Sequence, residues 1–289
     1  MKSDLDCLLC LMRQALNTVR LATSDRELQR KVINLTAEWI KKADLSRSPA
    51  DISTRVYRIV SEVTGVKDPY SKIKEKTNRE ALKMALKLRS FIDRSSDPLK
   101  SAIHLAVAGN IIDVGIGHEF DISKDIIKIL NTTFAIDDTE SFRKELKSAT
   151  KLLYLGDNSG EIVFDKILIE EIIKRDVEVI FTVKSGPVIN DATFQDALFT
   201  KISDIACVIE TGSDDIGINF EKAGDEFLRH YSEADIILSK GHGNFESCNE
   251  RRENFYFLLK AKCRVVAKEL RVEKDDIVFK HQFLERSIT

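Results

Sequence analysis

Proline and glycine are scarce in this chain, with 4 and 12 copies among 289 residues, while lysine and glutamate are plentiful. That balance leans toward a thermophile-like composition. Five cysteines, Cys7, Cys10, Cys207, Cys248 and Cys263, are too few and too irregularly spaced for a disulfide-scaffolded secreted domain. No run of 18 apolar residues occurs, which excludes a spanning helix. Residues 1–10 are acidic where a secretory signal needs a basic region, and the apolar run 8–12 is too short for its core, so a cytoplasmic location is expected. A net charge of -2 gives no general reason to expect nucleic acid or an anionic membrane as partner. Absent too are the G-x-x-x-x-G-K-[ST] loop of nucleotide triphosphatases, a G-x-G-x-x-G after the first strand, and the G-x-S-x-G elbow of serine hydrolases. No internal repeat, low-complexity tract or long linker appears.

What remains is an ordinary soluble composition, 43% apolar and 32% charged, long enough to bury a full-sized core. Up to about residue 150 the periodicity is helical. Leu28, Val32, Leu35, Trp39 and Ile40 recur at three- and four-residue spacing. Ser48-Pro49 reads as a helix start and Thr64-Gly65 as its end; further helices are expected over 71–92, 98–116, 122–130 and 141–147. No strand is expected before Lys151. The change of period suggests an all-helical domain over 1–97 and an α/β domain over 98–289, with the helices of 98–150 packing on either part.

After Lys151 short apolar runs alternate with helical patterns, as in βαβ units of a mostly parallel sheet. Strands are expected at 152–155, 177–183, 205–209, 236–238, 255–259 and 277–279. The first four each enter a polar loop containing glycine: 156–161, 184–191, 211–215 and 239–246. In a parallel sheet these strand ends share one edge, where ligands bind.

Asp157 and Asn158 stand between the first strand and a helix starting near Gly160, and Asn190-Asp191 repeats the pair after the second strand. Carboxylate and amide oxygens are hard donors suited to a divalent cation. A helix amino end offers N–H groups to an anion, and Gly156, Ser159 and Gly160 permit close approach. Lys184 and Lys240, each at a strand end, are placed to neutralise phosphoryl oxygens. Each motif alone also suits a turn, a helix cap or a solvated lysine. Recurrence at four strand ends favours a ligand site, and the combination fits metal-assisted phosphoryl chemistry.

The segments Gly156-Asp157-Asn158-Ser159-Gly160-Glu161, Pro187-Val188-Ile189-Asn190-Asp191-Ala192 and Lys240-Gly241-His242-Gly243-Asn244-Phe245-Glu246 resemble signatures of the damage-control phosphatases. That family was long catalogued as domain of unknown function 89 and includes acidic-residue-methyltransferase-1-like proteins. Asp68-Pro69-Tyr70 and Ala108-Gly109-Asn110-Ile111-Ile112-Asp113 match its helical part, so the resemblance spans nearly the whole chain. It implies a helical amino-terminal part joined to a Rossmann-like α/β domain, and a metal-dependent phosphatase for sugar phosphates or damaged cofactor phosphates, a metabolite-repair activity. A divalent metal (manganese, nickel, cobalt or magnesium) would be held by Asp157, Asn158 and Asp191, with Lys240 on the phosphate. Asn110 and Asp113 would reach in from the helical part, and Ser159, Gly160, Glu161, Lys184, Gly243, Asn244 and Glu246 would contact substrate. His242 stands where many relatives carry Gln.

Cys7-Leu8-Leu9-Cys10 fits a microbial branch of that family with an amino-terminal Cys-x-x-Cys. On a helix the two thiols share a face. They could bind a metal, though no second Cys-x-x-Cys completes a zinc site, serve redox chemistry with a third thiol such as Cys248, or be buried small hydrophobes.

The expected reaction is attack of water, on the cation, at phosphorus, with Lys240 and the amides near Gly160 stabilising charge and either Glu161 or Asp113 orienting the water. The rivals are an S-adenosylmethionine-dependent protein carboxyl methyltransferase, for which no separate methyl-donor motif is seen, and a non-catalytic phosphometabolite-binding protein. Oligomeric state leaves no mark in the sequence.

Overall fold

Capping chemistry sets the first helices. In the computed structural model, which describes residues 1–108 and 132–282, α1 spans Leu5–Ala22, α2 Arg26–Ile40 and α3 Pro49–Thr64. The Asp25 side chain accepts the Glu27 and Leu28 N–H groups at the start of α2, and Ser48 caps α3 with Pro49 in its first turn. Gly65 closes α3 at φ 73, a left-handed conformation that costs glycine little. Leu11, Ala15 and Val19 of α1, Val32 of α2, and Val56, Ile59 and Val60 of α3 form a core of their own.

Helices α4 (Ser71–Asp93) and α5 (Pro98–Ala108) join a different core. Ala81, Met84, Leu88 and Ile92 of α4 bury with the sheet rather than with α1–α3. The change of period near residue 97 is therefore not a change of core: by packing, α4 belongs with the α/β part. The expected helix at 122–130, with Asn110 and Asp113, lies outside the described residues.

The remaining elements are β1 (Ile136–Asp137), α6 (Thr139–Glu145), β2 (Lys151–Leu155), α7 (Glu161–Ile173), β3 (Glu178–Val183), α8 (Phe194–Phe199), β4 (Cys207–Glu210), α9 (Asp225–Glu233), β5 (Ile236–Lys240), α10 (Gly241–Cys248), β6 (Phe255–Lys260), α11 (Arg264–Leu270) and β7 (Ile277–Gln282). The sheet runs β1-β7-β6-β5-β2-β3-β4, and every neighbouring pair is parallel except β6 with β7. Strand β1 precedes Lys151, against expectation; its two residues, paired with Val278 and Phe279, are too few to carry a period.

Side chains alternate between two cores, as a strand's period of two requires. Leu152 and Tyr154 face the core shared with α4, α5 and α7, while Leu153 and Leu155 face the core shared with α9, α10 and α11. Burial on both faces explains why β2 reads as a continuous apolar run. The chain leaves β2 for β3 and β4, then returns to lay β5 on the other side of β2. The carboxyl ends of β2 and β5 therefore flank the point where strand order reverses, the place for a ligand crevice. One expected loop is absent: Gly241 begins α10 directly after β5. Arg58 of α3 reaches across to Asp214 at 3.3 Å and to Asp215, tying the helical unit to the turn after β4.

Candidate active site

Gly156 follows β2 and passes against β3. A Cβ there would lie 2.7 Å from the Phe181 ring and 2.8 Å from the Thr182 carbonyl, so the approach needs glycine. The segment after β3 folds back onto this turn through Ile189, whose φ of 46 is unusual for a β-branched residue and marks local strain. Asp157 O accepts the Ala192 N–H and Asn190 O accepts the Ser159 N–H, both at 2.8 Å. Asn158 and Asp191 thereby form an isolated antiparallel bridge. The two bonds flank this pair instead of joining it, a geometry that sets opposed Cα atoms about 4.5 Å apart with side chains on one face. Asp157 is drawn in as well, its Oδ2 accepting from Asn158 Nδ2 at 2.7 Å. All three residues line one cavity of about 830 Å³.

Burial raises the Asp157 carboxyl well above the usual carboxylate range; Glu161 and Asp191 add to the rise, and Lys262 and Lys240 oppose it. Burial likewise pushes Asp191 up to about 6, against Lys184 and Lys74. Two carboxyls thus share a dehydrated wall with too little positive charge beside them. Asn158 Nδ2 is engaged by Asp157 and, at 3.3 Å, by Glu161, which leaves its carbonyl oxygen as a third hard donor. Ser159 Oγ is buried without a hydrogen-bond partner, but Ser159 does not line the cavity, so the expected substrate contact is not placed there. Among the described residues no group of three or more His, Cys, Asp and Glu gathers as a metal site. The donor set here is two carboxylates and an amide, chemically suited to a hard divalent cation.

Several expected contacts fall elsewhere. Lys240 is fully buried, its Nζ donating to Ala106 O at 2.8 Å, Glu161 Oε1 at 2.5 Å and Asp165 Oδ1 at 2.6 Å. Burial disfavours its charge, yet the two carboxylates hold its pKa above the ordinary lysine value. It neutralises the base of α7 and does not line the cavity, so the expected phosphate contact is not made. The expected amide cradle is also taken: Gly160 N–H donates to Asn78 Oδ1 at 2.6 Å, and Ser159 N–H to Asn190 O. Glu161 is buried behind Asn158 and clamped by Lys240, which makes it a support for Asn158. Lys184 is buried beside Asp191 at 3.9 Å and donates to Gly217 O, steadying Asp191 from behind. Asn244 Nδ2 donates to Gly156 O and Lys240 O, both at 3.0 Å, and fastens α10 to β2. Gly243 and Glu246 do line the cavity. Burial pushes Glu246 up to about 8, so it carries a proton at neutral pH.

Other residues here carry no glycine signature. Lys74 and Asn78 of α4 reach Asp196 at 3.1 and 2.8 Å. Their signal is two polar residues on the buried stripe that continues through Ala81, Met84 and Leu88. Lys262 follows β6 at the same sheet edge and lines the cavity. Cys7 and Cys10 line it with Cys263, not with Cys248, which is fully buried elsewhere and pushed up to about 11 by burial.

Residues 3–278 match the damage-control phosphatase ARMT1-like domain. An uncharacterized protein of Methanocaldococcus jannaschii is 39% identical over 94% of this chain and 93% of its own length. A damage-control phosphatase of Pyrococcus horikoshii is 34% identical over 96% of this chain and 97% of its own. The crystal structure of a DUF89 family protein from Pyrococcus horikoshii superposes with a TM-score of 0.90 at 34% identity, covering 97% of this chain and 99% of that one.

Proposed function

This chain belongs to the damage-control phosphatase ARMT1-like family, and from that premise we propose that it is a metal-dependent phosphomonoester hydrolase for small phosphorylated metabolites. The observation that carries the reading is the under-neutralised pair Asp157 and Asp191, held with Asn158 on one wall of the cavity by the bridge between two strand ends. A divalent cation held by oxygens of Asp157, Asn158 and Asp191, whether magnesium, manganese, cobalt or nickel, would supply Lewis acidity toward phosphoryl oxygens.

The chain's own groups have separable tasks. Lys184 and Lys74 favour the ionised form of Asp191. Glu161, fixed by Lys240, holds the Asn158 amide in one orientation. Glu246, protonated at neutral pH on the same cavity, would pass its proton to the departing alkoxide oxygen. About 830 Å³ is the size of a small-molecule site, which suits a phosphorylated metabolite better than a phosphoprotein.

The test is a panel of small phosphate esters assayed with the purified chain against magnesium, manganese, cobalt and nickel, each with and without chelator. Release of phosphate that needs a divalent ion is expected. Tight ester binding with no turnover under any ion would overturn the reading in favour of a binding protein.

A further inference from the structure

Charge is unevenly spread over the wall of this cavity. Its carboxyls Asp157, Asp191 and Glu246 are buried or partly buried. Around the opening stand exposed Arg13 from α1, Lys262 from the turn after β6, Arg264 at the start of α11, and Lys274. Among the described residues Asp6 is the one exposed acid lining the same cavity, and Lys274 leans on Asp275 at 3.5 Å. In a chain of net charge -2, four bases against one acid at an opening is a local excess.

The bases also come from different elements. Lys262 follows β6, the strand paired with β5 at the sheet edge that carries the carboxylates, and lines the cavity with them. The Lys262 N–H donates to His242 Nε2 at 2.9 Å, fixing the backbone from which this lysine projects. Arg13 lines the cavity from α1, near Cys10. Arg264 opens α11, and its neighbour Val265 packs against the core of α1–α3. The cations therefore come to one cavity from both parts of the fold, from α1 and from the segment between β6 and the start of α11. An ester phosphate at Asp157 and Asp191 would meet Lys262, while a neutral tail would leave Arg13 and Arg264 to water.

Resting on the phosphatase reading, we infer that Arg13 and Arg264 form an anion subsite at the mouth of this cavity, which selects phosphoesters carrying a second anionic group, a carboxylate or a further phosphate. Charge-assisted contacts of this kind are specific in geometry and weaken with salt when exposed. They would also steer polyanions toward the opening.

Matched probes test this: glucose 6-phosphate against 6-phosphogluconate, and fructose 6-phosphate against fructose 1,6-bisphosphate. The more anionic member of each pair is expected to have a kcat/KM about tenfold higher, as a contact to a charged group supplies. That ratio should shrink in 0.5 M sodium chloride and fall to about one in an Arg13→Ala, Arg264→Ala double variant. A ratio near one in the native chain, or a ratio the double variant keeps, overturns the subsite. Calorimetry with the same pairs on chelator-treated protein reads the preference without turnover. A binding preference without hydrolysis sinks the phosphatase reading alone, and equal binding sinks the subsite alone.

Discussion

Gly241 lies against Asp157 so closely that a Cβ on the glycine would stand 2.0 Å from the Asp157 Oδ2 atom. The contact joins the first residue of α10 to the first candidate metal ligand, across the switch point between β5 and β2. It explains why glycine opens α10, because Gly241 also has φ +78. Gly241→Ala is expected to displace the Asp157 carboxyl and lower kcat/KM at least a hundredfold, roughly the cost of misplacing a reacting group by an ångström. Gly65→Ala is the control: its φ is +73 and nothing lies within 4 Å of the new Cβ. It should cost about 1–2 kcal/mol in urea unfolding and leave kcat/KM intact.

Removing the acid at position 157 should separate stability from activity. Burial and the charges of Glu161 and Asp191 disfavour the Asp157 carboxylate when no cation is present. Asp157→Asn should therefore melt at a higher temperature than the native chain in chelator, yet lose metal-dependent hydrolysis. Manganese at about a hundred times its Kd should stabilise the native chain by roughly 2.7 kcal/mol. The variant should show no such shift in the same melting experiment. A variant that melts lower in chelator, or still responds to the ion, counts against these carboxyls as the cation's ligands.

Lys240 behaves as an internal strut. Its ammonium is sealed between Glu161, Asp165 and the Ala106 carbonyl, and the Tyr154 hydroxyl donates to the same Asp165 oxygen at 2.7 Å. Lys240→Met leaves two buried carboxyls without their cation, and such a loss costs about 3–5 kcal/mol. Urea midpoints measure it. A midpoint unchanged from the native chain would show that the ammonium is not the counter-ion of this buried pair.

Most of the scaffold was legible because local rules and the tertiary fold agree. Ser48-Pro49 and Gly65 bound α3 as their chemistry requires, and apolar runs buried on both faces became β2, β3, β5 and β6. Position within the site was harder to read. Asp157, Asn158 and Asp191 share a cavity, as their strand-end location implied. Lys240 occupies the same kind of location, yet its side chain enters the core, because the last residue of a buried strand can point to either face. A lysine there looks like a phosphate ligand until Asp165, one helical turn on from Glu161, is seen to claim it. Lys262 escaped notice for the opposite reason. It follows β6 at the same edge, in a segment without glycine. Lys74 and Asn78 depend on the docking of α4 against α7, a long-range contact that no local pattern encodes.

Glu246 links proton inventory to both stability and catalysis. Burial raises its carboxyl from 4.5 to about 8. Between those values the folded chain keeps a proton that the unfolded chain has released, so stability is fully present below the lower value and declines as pH rises through the upper one. The slope is at most about 1.4 kcal/mol per pH unit for one proton. Glu246→Gln cannot release that proton, so the stability difference between native and variant chains, measured by urea unfolding in chelator, should change in the variant's favour from pH 5 to pH 8. Asp157 and Asp191 drift in the same direction but are present in both proteins, and the difference removes them. Activity supplies the second readout. If Glu246 protonates the departing oxygen, the variant should lose about a hundredfold in kcat on an alkyl phosphate, within the range of general acid catalysis. With p-nitrophenyl phosphate, whose leaving group needs no proton, the loss should shrink to a few-fold. Equal losses on the two esters would make Glu246 a wall of the cavity and nothing more.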